Sequence, residues 1–188
     1  MPPGLDPPEP PLTDSTAGVA LRPWRATPGD VAALVAAWAD PAVAAGGRPP
    51  ADRSPAAAEA WIAGAAARLD AGLALDLVVV DRGDEDVVLG EVGLRNIDRV
   101  RRRAEIGWWI GAAHRGHGRS APAVAMVAAW AQGPPLWLRQ VWARIDPANP
   151  ASAAVARRAG FRRLGVAAGT EIWARSPEPR PGAATLRR

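Results

Sequence analysis

The sequence predicts an α/β (α+β) fold in a single domain. Apolar, strand-like runs alternate with helix-start signals along most of the chain. A glycine loop, Arg115-Gly116-His117-Gly118-Arg119-Ser120, joins one such run to an alanine-rich helical pattern. A length of 188 residues makes one ordinary domain with a real core.

Residues 1–16 are rich in proline and polar groups and carry few apolar side chains, so they are expected to be disordered. Val19-Ala20-Leu21-Arg22-Pro23-Trp24 reads as the first strand. Thr27-Pro28-Gly29-Asp30 then starts a helix, with Thr27 as N-cap and Pro28 at the first helical position. Val31, Leu34, Val35 and Trp38 recur at helical spacing and are expected to face the core. Residues 41–54, rich in Gly, Ala and Pro, read as a mobile lid. Ser54-Pro55 starts a second helix, with Trp61, Ile62, Ala65 and Leu69 on one face and Gly72 as its stop.

Residues 75–80 read as a strand, 82–85 as its turn and 87–96 as the returning strand. Asp98 to Arg102 makes a polar turn into a strand over 104–110. The glycine loop leads into a helix over 121–132, ended by Gly133-Pro134-Pro135. A strand over 137–145, a short helix over 152–159 closed by Gly160, and two strands near 161–166 and 170–175 complete the domain. The expected total is six to seven strands with about four helices. The domain is expected to span 17–176, with a disordered tail over 177–188.

Composition narrows the function. With no cysteine, neither disulfides nor thiolate metal sites contribute, and His114 and His117 in one loop do not make a zinc cage, so no metal is expected. The start of the chain has no signal pattern and no apolar run reaches spanning length, which points to a cytoplasmic protein without a membrane partner. Net charge is +4 and the pI about 11.2. All 23 basic residues are arginine, and lysine and tyrosine are absent. That bias is what a GC-rich genome imposes. The arginines are also dispersed rather than gathered on one motif, so no specific nucleic acid is expected.

A strand, a loop with small residues at alternate positions and then a helix make an anion cradle. Glycine lets backbone N–H groups turn inward, the helix dipole adds attraction, and Arg115 and Arg119 bring permanent charge. The ligand this cradle suits carries a pyrophosphate. A second block, Asp146-Pro147-Ala148-Asn149-Pro150-Ala151-Ser152 followed by Ala159-Gly160-Phe161, accompanies it.

With Leu21-Arg22-Pro23-Trp24 and the segment from Arg95-Asn96-Ile97-Asp98 to Glu105-Ile106-Gly107, these blocks resemble the GNAT superfamily of acetyl-CoA-dependent N-acetyltransferases, specifically its RimJ/RimL-type branch. The resemblance covers about 19–175. Arg115 and Gly118 fall in register with the family's phosphate loop, while Ser120 stands where Gly or Ala is usual.

The resemblance implies a mixed central sheet splayed between its fourth and fifth strands, with pantetheine in the gap. It assigns backbone groups near Trp109, Ile110 and Gly111 to the pantetheine amides. It places the pyrophosphate on the loop N–H groups of Arg115, Gly116, His117, Gly118, Arg119 and Ser120, and the cofactor arm on Asn149. Asn149 equally suits an Asx turn before a helix. Ser152 is implied near the cofactor sulfur as a general acid, although it also suits a helix cap. The tyrosine many members use is replaced by Ala156, and solvent could protonate the leaving thiolate.

Glu105 is the candidate base: a carboxylate on a central strand is rarely there by chance, since burying it unpaired is costly. An ion pair with one of Arg101 to Arg103 accounts for it equally well. Trp109 lines either the cleft or the core.

The implied activity is acetyl transfer from acetyl-CoA to a primary amine, by direct attack in a ternary complex. The branch points to a protein amino terminus. That acceptor also needs the weaker base: about a tenth of an α-amine is neutral at pH 7, whereas a lysine amine must give up roughly 4 kcal/mol. A small-molecule amine (antibiotic, polyamine or amino acid), or a non-catalytic acyl-CoA-binding module, are the alternatives. A homodimer is compatible with the sequence without being demanded by it.

Overall fold

The computed structural model describes residues 4–9, 11–47, 49–134 and 136–177. In chain order the elements are β1 (Thr13–Asp14), β2 (Val19–Pro23), α1 (Pro28–Ala39), α2 (Pro41–Gly47), α3 (Pro55–Asp70), β3 (Ala74–Asp81), β4 (Asp84–Asp98), β5 (Arg103–Ile110), α4 (Ser120–Gln132), β6 (Gln140–Ile145), α5 (Pro150–Arg158), β7 (Arg162–Ala167) and β8 (Thr170–Arg175). A single 3₁₀ turn, Ala112–His114, follows β5.

The helix starts form as their sequences require. The Thr27 hydroxyl accepts from the Asp30 N–H and that of Ser54 from the Ala57 N–H, each just before a proline. Gly72 supplies the left-handed φ of +67° that ends α3.

Eight strands form one sheet in the order β1-β2-β3-β4-β5-β6-β8-β7. All neighbours are antiparallel except β5 and β6. One face packs Leu75, Leu77, Leu94, Ala104 and Ile106 against Val124, Val127 and Ala128 of α4 and Ala156 of α5. The other packs Val78 and Val80 against Leu34 and Trp38 of α1 and Ile62 of α3. On this second side the Arg22 guanidinium grips Asp30 with two bonds of 2.8 and 2.7 Å, and both side chains are buried. Close approach governs Gly90, where an added Cβ would stand 2.2 Å from the Trp109 carbonyl oxygen.

The structure corrects several expectations. Residues 1–16 are not uniformly unpacked: Leu5 is buried with its N–H donating to the Leu69 carbonyl, and β1 pairs with β2. One apolar side chain and a few backbone bonds are enough to dock a proline-rich segment. The lid expected over 41–54 contains α2, anchored by buried Val43 and started by the Asp40 carboxylate accepting from the Ala42 N–H. The strand expected from 137 begins at Gln140, because Trp137 takes a positive φ of 48°. Among the described residues the expected strand and helix counts rise to eight and five, β1 and α2 being the additions. Of the tail expected over 177–188, residues 178–188 lie outside the described residues. Among the described residues, no helix is long and apolar enough to cross a membrane.

Candidate active site

The site begins where the sheet parts. Parallel β5 and β6 pair only at Arg103–Gln140, Ala104–Val141 and Glu105–Trp142, although β5 runs on to Ile110 and β6 to Ile145. Past Glu105 the two strands diverge, and the seam between them opens toward the glycine loop. Strand alternation decides which backbone groups face it. The Gly111 N–H donates to the Leu89 carbonyl, and the Trp109 carbonyl points at Gly90, so the odd-numbered residues of β5 spend their backbone groups on β4. Ile106, Trp108 and Ile110 therefore face the seam. Of the backbone groups expected at Trp109, Ile110 and Gly111, the geometry keeps only those of Ile110 on this edge and adds those of Trp108. The Ile110 carbonyl already accepts from the Arg115 Nε at 2.9 Å.

The glycine loop caps the seam. Gly116 and Gly118 take φ of +83° and +74°, and an added Cβ would meet nothing within 4 Å at either. Glycine is needed there for its backbone conformation, not for room. Arg119 caps α4 with no side-chain bond, so the first-turn N–H groups of Ser120 and Ala121 are left to point at an anion. The arginine charges, in contrast, are already engaged. Arg115 reaches Asp40 at 2.5 Å and Arg119 reaches Asp81 at 3.3 Å, so the cradle relies on backbone N–H groups more than on guanidiniums. His117 is exposed, with Nδ1 3.3 Å from the His114 carbonyl oxygen. A cleft of about 450 Å³ lined by Gly118, Ala121, Pro122, Ala125, Arg158 and Asp14 runs from the loop across α4 to α5. These features fit a pyrophosphate-bearing group.

Asn149 is the N-cap of α5: its Oδ1 accepts from the Ser152 N–H at 2.9 Å. The capping duty expected of Ser152 therefore belongs to Asn149, and the Ser152 hydroxyl is not needed to cap the helix. Ala156, in place of the expected tyrosine, is fully buried.

Glu105 stands at the vertex of the seam, with its side chain 0% exposed. One oxygen accepts from Arg95 at 2.7 Å and the other from the Asn96 amide at 2.9 Å, while Arg144 of β6 reaches both at 3.2 and 3.3 Å. Burial pushes its carboxyl up, but the Arg95 bond and charge, Asn96 and Arg144 outweigh that and hold it below the ordinary carboxylate range. A carboxylate so held is a weak proton acceptor, and of the two roles the sequence leaves open for Glu105, base and ion-pair partner, the geometry supplies the partners of the second. It ties β4 to β6 where the sheet parts. Its partners are Arg95 and Arg144, not Arg101 to Arg103, of which Arg101 and Arg103 reach toward Asp98.

Breaking a buried pair costs about 3–5 kcal/mol, and the half-exposed arginines, which keep water, reduce this to about 2. Glu105→Gln is therefore expected to lower the melting temperature by about 4–8 °C while the folded fraction keeps its pH profile. Calorimetry together with a pH–rate series checks this; lost turnover at an unchanged melting temperature would restore Glu105 as base.

The odd-numbered side chains of β5 face α1 and α3. There Gly107 lies opposite Gly93, and Trp109 opposite Glu91. Trp109 packs against Trp24 at 6.4 Å between ring centroids, and Trp24 meets Trp61 edge-on at 5.9 Å. The Trp24 Nε1–H donates to Glu91 at 3.1 Å. Part-buried Glu91 is pushed up to about 8, chiefly by burial and then by the charge of Asp76. Asp76 in turn accepts from Arg68 at 2.9 Å.

Sequence reasoning passed over Glu91, Asp76, Arg95 and Arg144. For Glu91 the signal was present: a carboxylate within the apolar run Leu89-Gly90-Glu91-Val92-Gly93-Leu94, the same pattern that singled out Glu105.

A splayed parallel seam, a glycine loop at its mouth and an uncapped helix behind it form one unit. The profile of the "Acetyltransferase (GNAT) domain" family matches residues 19–162. The chain belongs to the GNAT acetyltransferase family. This acetyltransferase is similar in fold to Mycobacterium smegmatis RimJ in complex with CoA-disulfide, at 26% identity over 88% of this chain and 85% of that one, with a TM-score of 0.73. It is also similar to the microcin C7 self-immunity acetyltransferase MccE in complex with acetyl-CoA and AMP, at 18% identity over 85% and 93% of the two chains and a TM-score of 0.72. A third likeness is RimL, a ribosomal L7/L12 alpha-N-protein acetyltransferase, at 19% identity over 93% and 100% of the chains and a TM-score of 0.72. No curated protein sequence matches the chain. The enzyme is an acyltransferase of the GNAT type, its structural neighbours include RimJ and RimL, and its acyl donor is acetyl-CoA.

Proposed function

We propose that this acetyltransferase acetylates a protein amino-terminal α-amine by direct attack in a ternary complex, as expected of a cytoplasmic RimJ/RimL-type enzyme. The observation that carries the reading is the β5–β6 seam, a slot with an open backbone edge and an anion cradle at its mouth. In this reading the backbone of Trp108 and Ile110 holds the pantetheine amides. The N–H groups of Gly116, His117, Gly118, Arg119 and Ser120 hold the pyrophosphate, and Asn149 offers its amide NH₂ to the cofactor arm. The Ser152 hydroxyl donates to the departing sulfur.

The α-amine is favoured because its pKa of about 8 asks little of the enzyme, and because the RimJ and RimL structures share this fold. Thiol release from acetyl-CoA tests it against hexapeptides beginning with Ser or Ala, spermidine, a lysine peptide with a blocked α-amine, and an aminoglycoside. The peptides with free α-amines are expected to be acetylated at least tenfold faster in kcat/KM than the other amines. Preference for spermidine or the aminoglycoside replaces the protein acceptor with a small molecule, and absence of all turnover overturns the reading.

A further inference from the structure

The guanidiniums at the vertex of the seam are only partly spent. Arg95 gives Glu105 one bond from Nη2, and Arg144 gives it one from Nε and one from Nη2. Among the described residues, Nε and Nη1 of Arg95 and Nη1 of Arg144 make no hydrogen bond, and the two side chains stay 49% and 51% exposed. Their charges are not cancelled either, since both share a single carboxylate. Of the other acids near Arg95, Asp76 is matched by Arg68, and Glu91 keeps its proton below about pH 8. One positive charge is left over.

Strand alternation decides where the remaining N–H groups lie. Glu105 and Trp142 are register partners on β5 and β6, so Trp142 and Arg144 stand on the same face as Glu105, opposite α4 and α5. On that face α1 and α3 pack over β3 and β4. Beyond them Trp142 and Ile172 are left half-buried and Arg144 exposed. The Arg144 guanidinium lies over the Trp142 ring at 5.6 Å, so the ring and Glu105 together orient it. Arg95 lies across the Gly107 backbone, its Nη1 3.6 Å from where a Cβ would stand. Two oriented guanidiniums thus stand on an uncovered strip of sheet, beside the point where β5 and β6 part.

We propose that Arg144 and Arg95 bind a carboxylate of the acceptor, so that the enzyme selects amino termini with Asp or Glu at the second or third position. The inference rests on the amino-terminal acetylation reading. With the pyrophosphate in the cradle, the cofactor arm enters the seam from its mouth, and its acyl end lies toward the vertex. The acceptor amine comes from the uncovered face. At about 3.8 Å per residue, its second and third residues then lie roughly 4–8 Å from the reacting nitrogen. The surplus positive charge repels an ammonium on its own. A carboxylate beside that ammonium reverses the sign, and its two oxygens suit the planar donors of a guanidinium.

Thiol release with matched hexapeptides tests this. A Ser-Asp peptide is expected to exceed its Ser-Asn counterpart about tenfold in kcat/KM at low salt, carried by the peptide KM with the acetyl-CoA KM unchanged. The same comparison at the third position covers the other register. Added salt should shrink the ratio. Arg144→Gln should bring it to about one, and because both peptides meet the same preparation, the ratio is independent of the folded fraction. Arg95→Gln, which leaves both Arg144 bonds to Glu105 in place, should lower it as well and serves where Arg144→Gln does not fold. Arg162 on β7 lies on this face two strands from Arg144, about 10 Å away, and Arg162→Gln should leave the ratio intact. Wild-type Asp/Asn ratios near one at both positions overturn the inference and leave amino-terminal acetylation standing. A ratio that survives Arg144→Gln, or that Arg162→Gln removes, likewise overturns the assignment to the vertex. Failure of every peptide removes the amino-terminal reading, and the inference with it.

Discussion

Gly118→Val is expected to weaken acetyl-CoA binding by at least 100-fold while leaving the melting temperature almost unchanged. Gly118 holds φ at +74°, a region that costs a β-branched residue about 1–3 kcal/mol. The chain relieves that strain by rotating the loop, which turns neighbouring N–H groups away from the anion. Each charge-assisted bond lost costs a further 1.5–3 kcal/mol or so, and with the strain this gives about two to three decades in affinity. Stability is spared because the position is exposed and a Cβ there meets nothing within 4 Å. Titration calorimetry with acetyl-CoA checks it. Gly118→Ala should fall between the two, and normal affinity in the valine variant would exclude this loop as the phosphate cradle.

The largest loss of stability is expected from Asp30→Ala. Asp30 and Arg22 are 1% and 5% exposed, and the aspartate also accepts from the Arg25 N–H at 2.7 Å. Alanine leaves the Arg22 guanidinium buried with only carbonyl partners at Pro23 and Glu85. Stranding a buried charge costs about 3–5 kcal/mol, or a melting temperature roughly 10 °C or more lower. The pH dependence follows from the same pair. Burial alone pushes the Asp30 carboxyl up, but its bonds to Arg22 and Arg25 and the Arg22 charge bring it below its ordinary value. The stabilisation is complete above about pH 4, the unfolded value, and drains away as pH falls through the lower folded one. Thermal melts from pH 7 to pH 3 should show this acid loss in the wild type and less of it in Asp30→Ala. Equal acid sensitivity would show that the pair contributes no pH-dependent stability.

The local signals in the chain proved sufficient where a side chain acts on its own neighbourhood. Thr27-Pro28 and Ser54-Pro55 start helices, Gly72 stops one, and Gly116 and Gly118 take the left-handed backbone their loop requires. They failed where a partner distant in sequence decides. Leu5 docks on Leu69, far along the chain, and nothing in its proline-rich surroundings announces that contact. Asn149 and Ser152 both suited a cap, and only the fold chooses between them. The clearest case is the pair of glutamates. Glu91 and Glu105 look alike in strand alternation, yet Arg95, Asn96 and Arg144 claim one, and Trp24 and Asp76 surround the other. Which carboxylate can move a proton is a property of those neighbours, and the strand pattern does not carry it.

The seam has a chemical consequence for the enzyme's own durability. The cations that fix its vertex, Arg95 and Arg144, are guanidiniums, and the chain contains no lysine at all. With acetyl-CoA seated in the seam as proposed, an ε-amine in either place would be open to acetylation, which removes its charge and its grip on Glu105. A guanidinium stays protonated and presents no lone pair to an acyl carbon. On that seating the ties at the vertex are inert to the thioester, and self-acylation does not erode them.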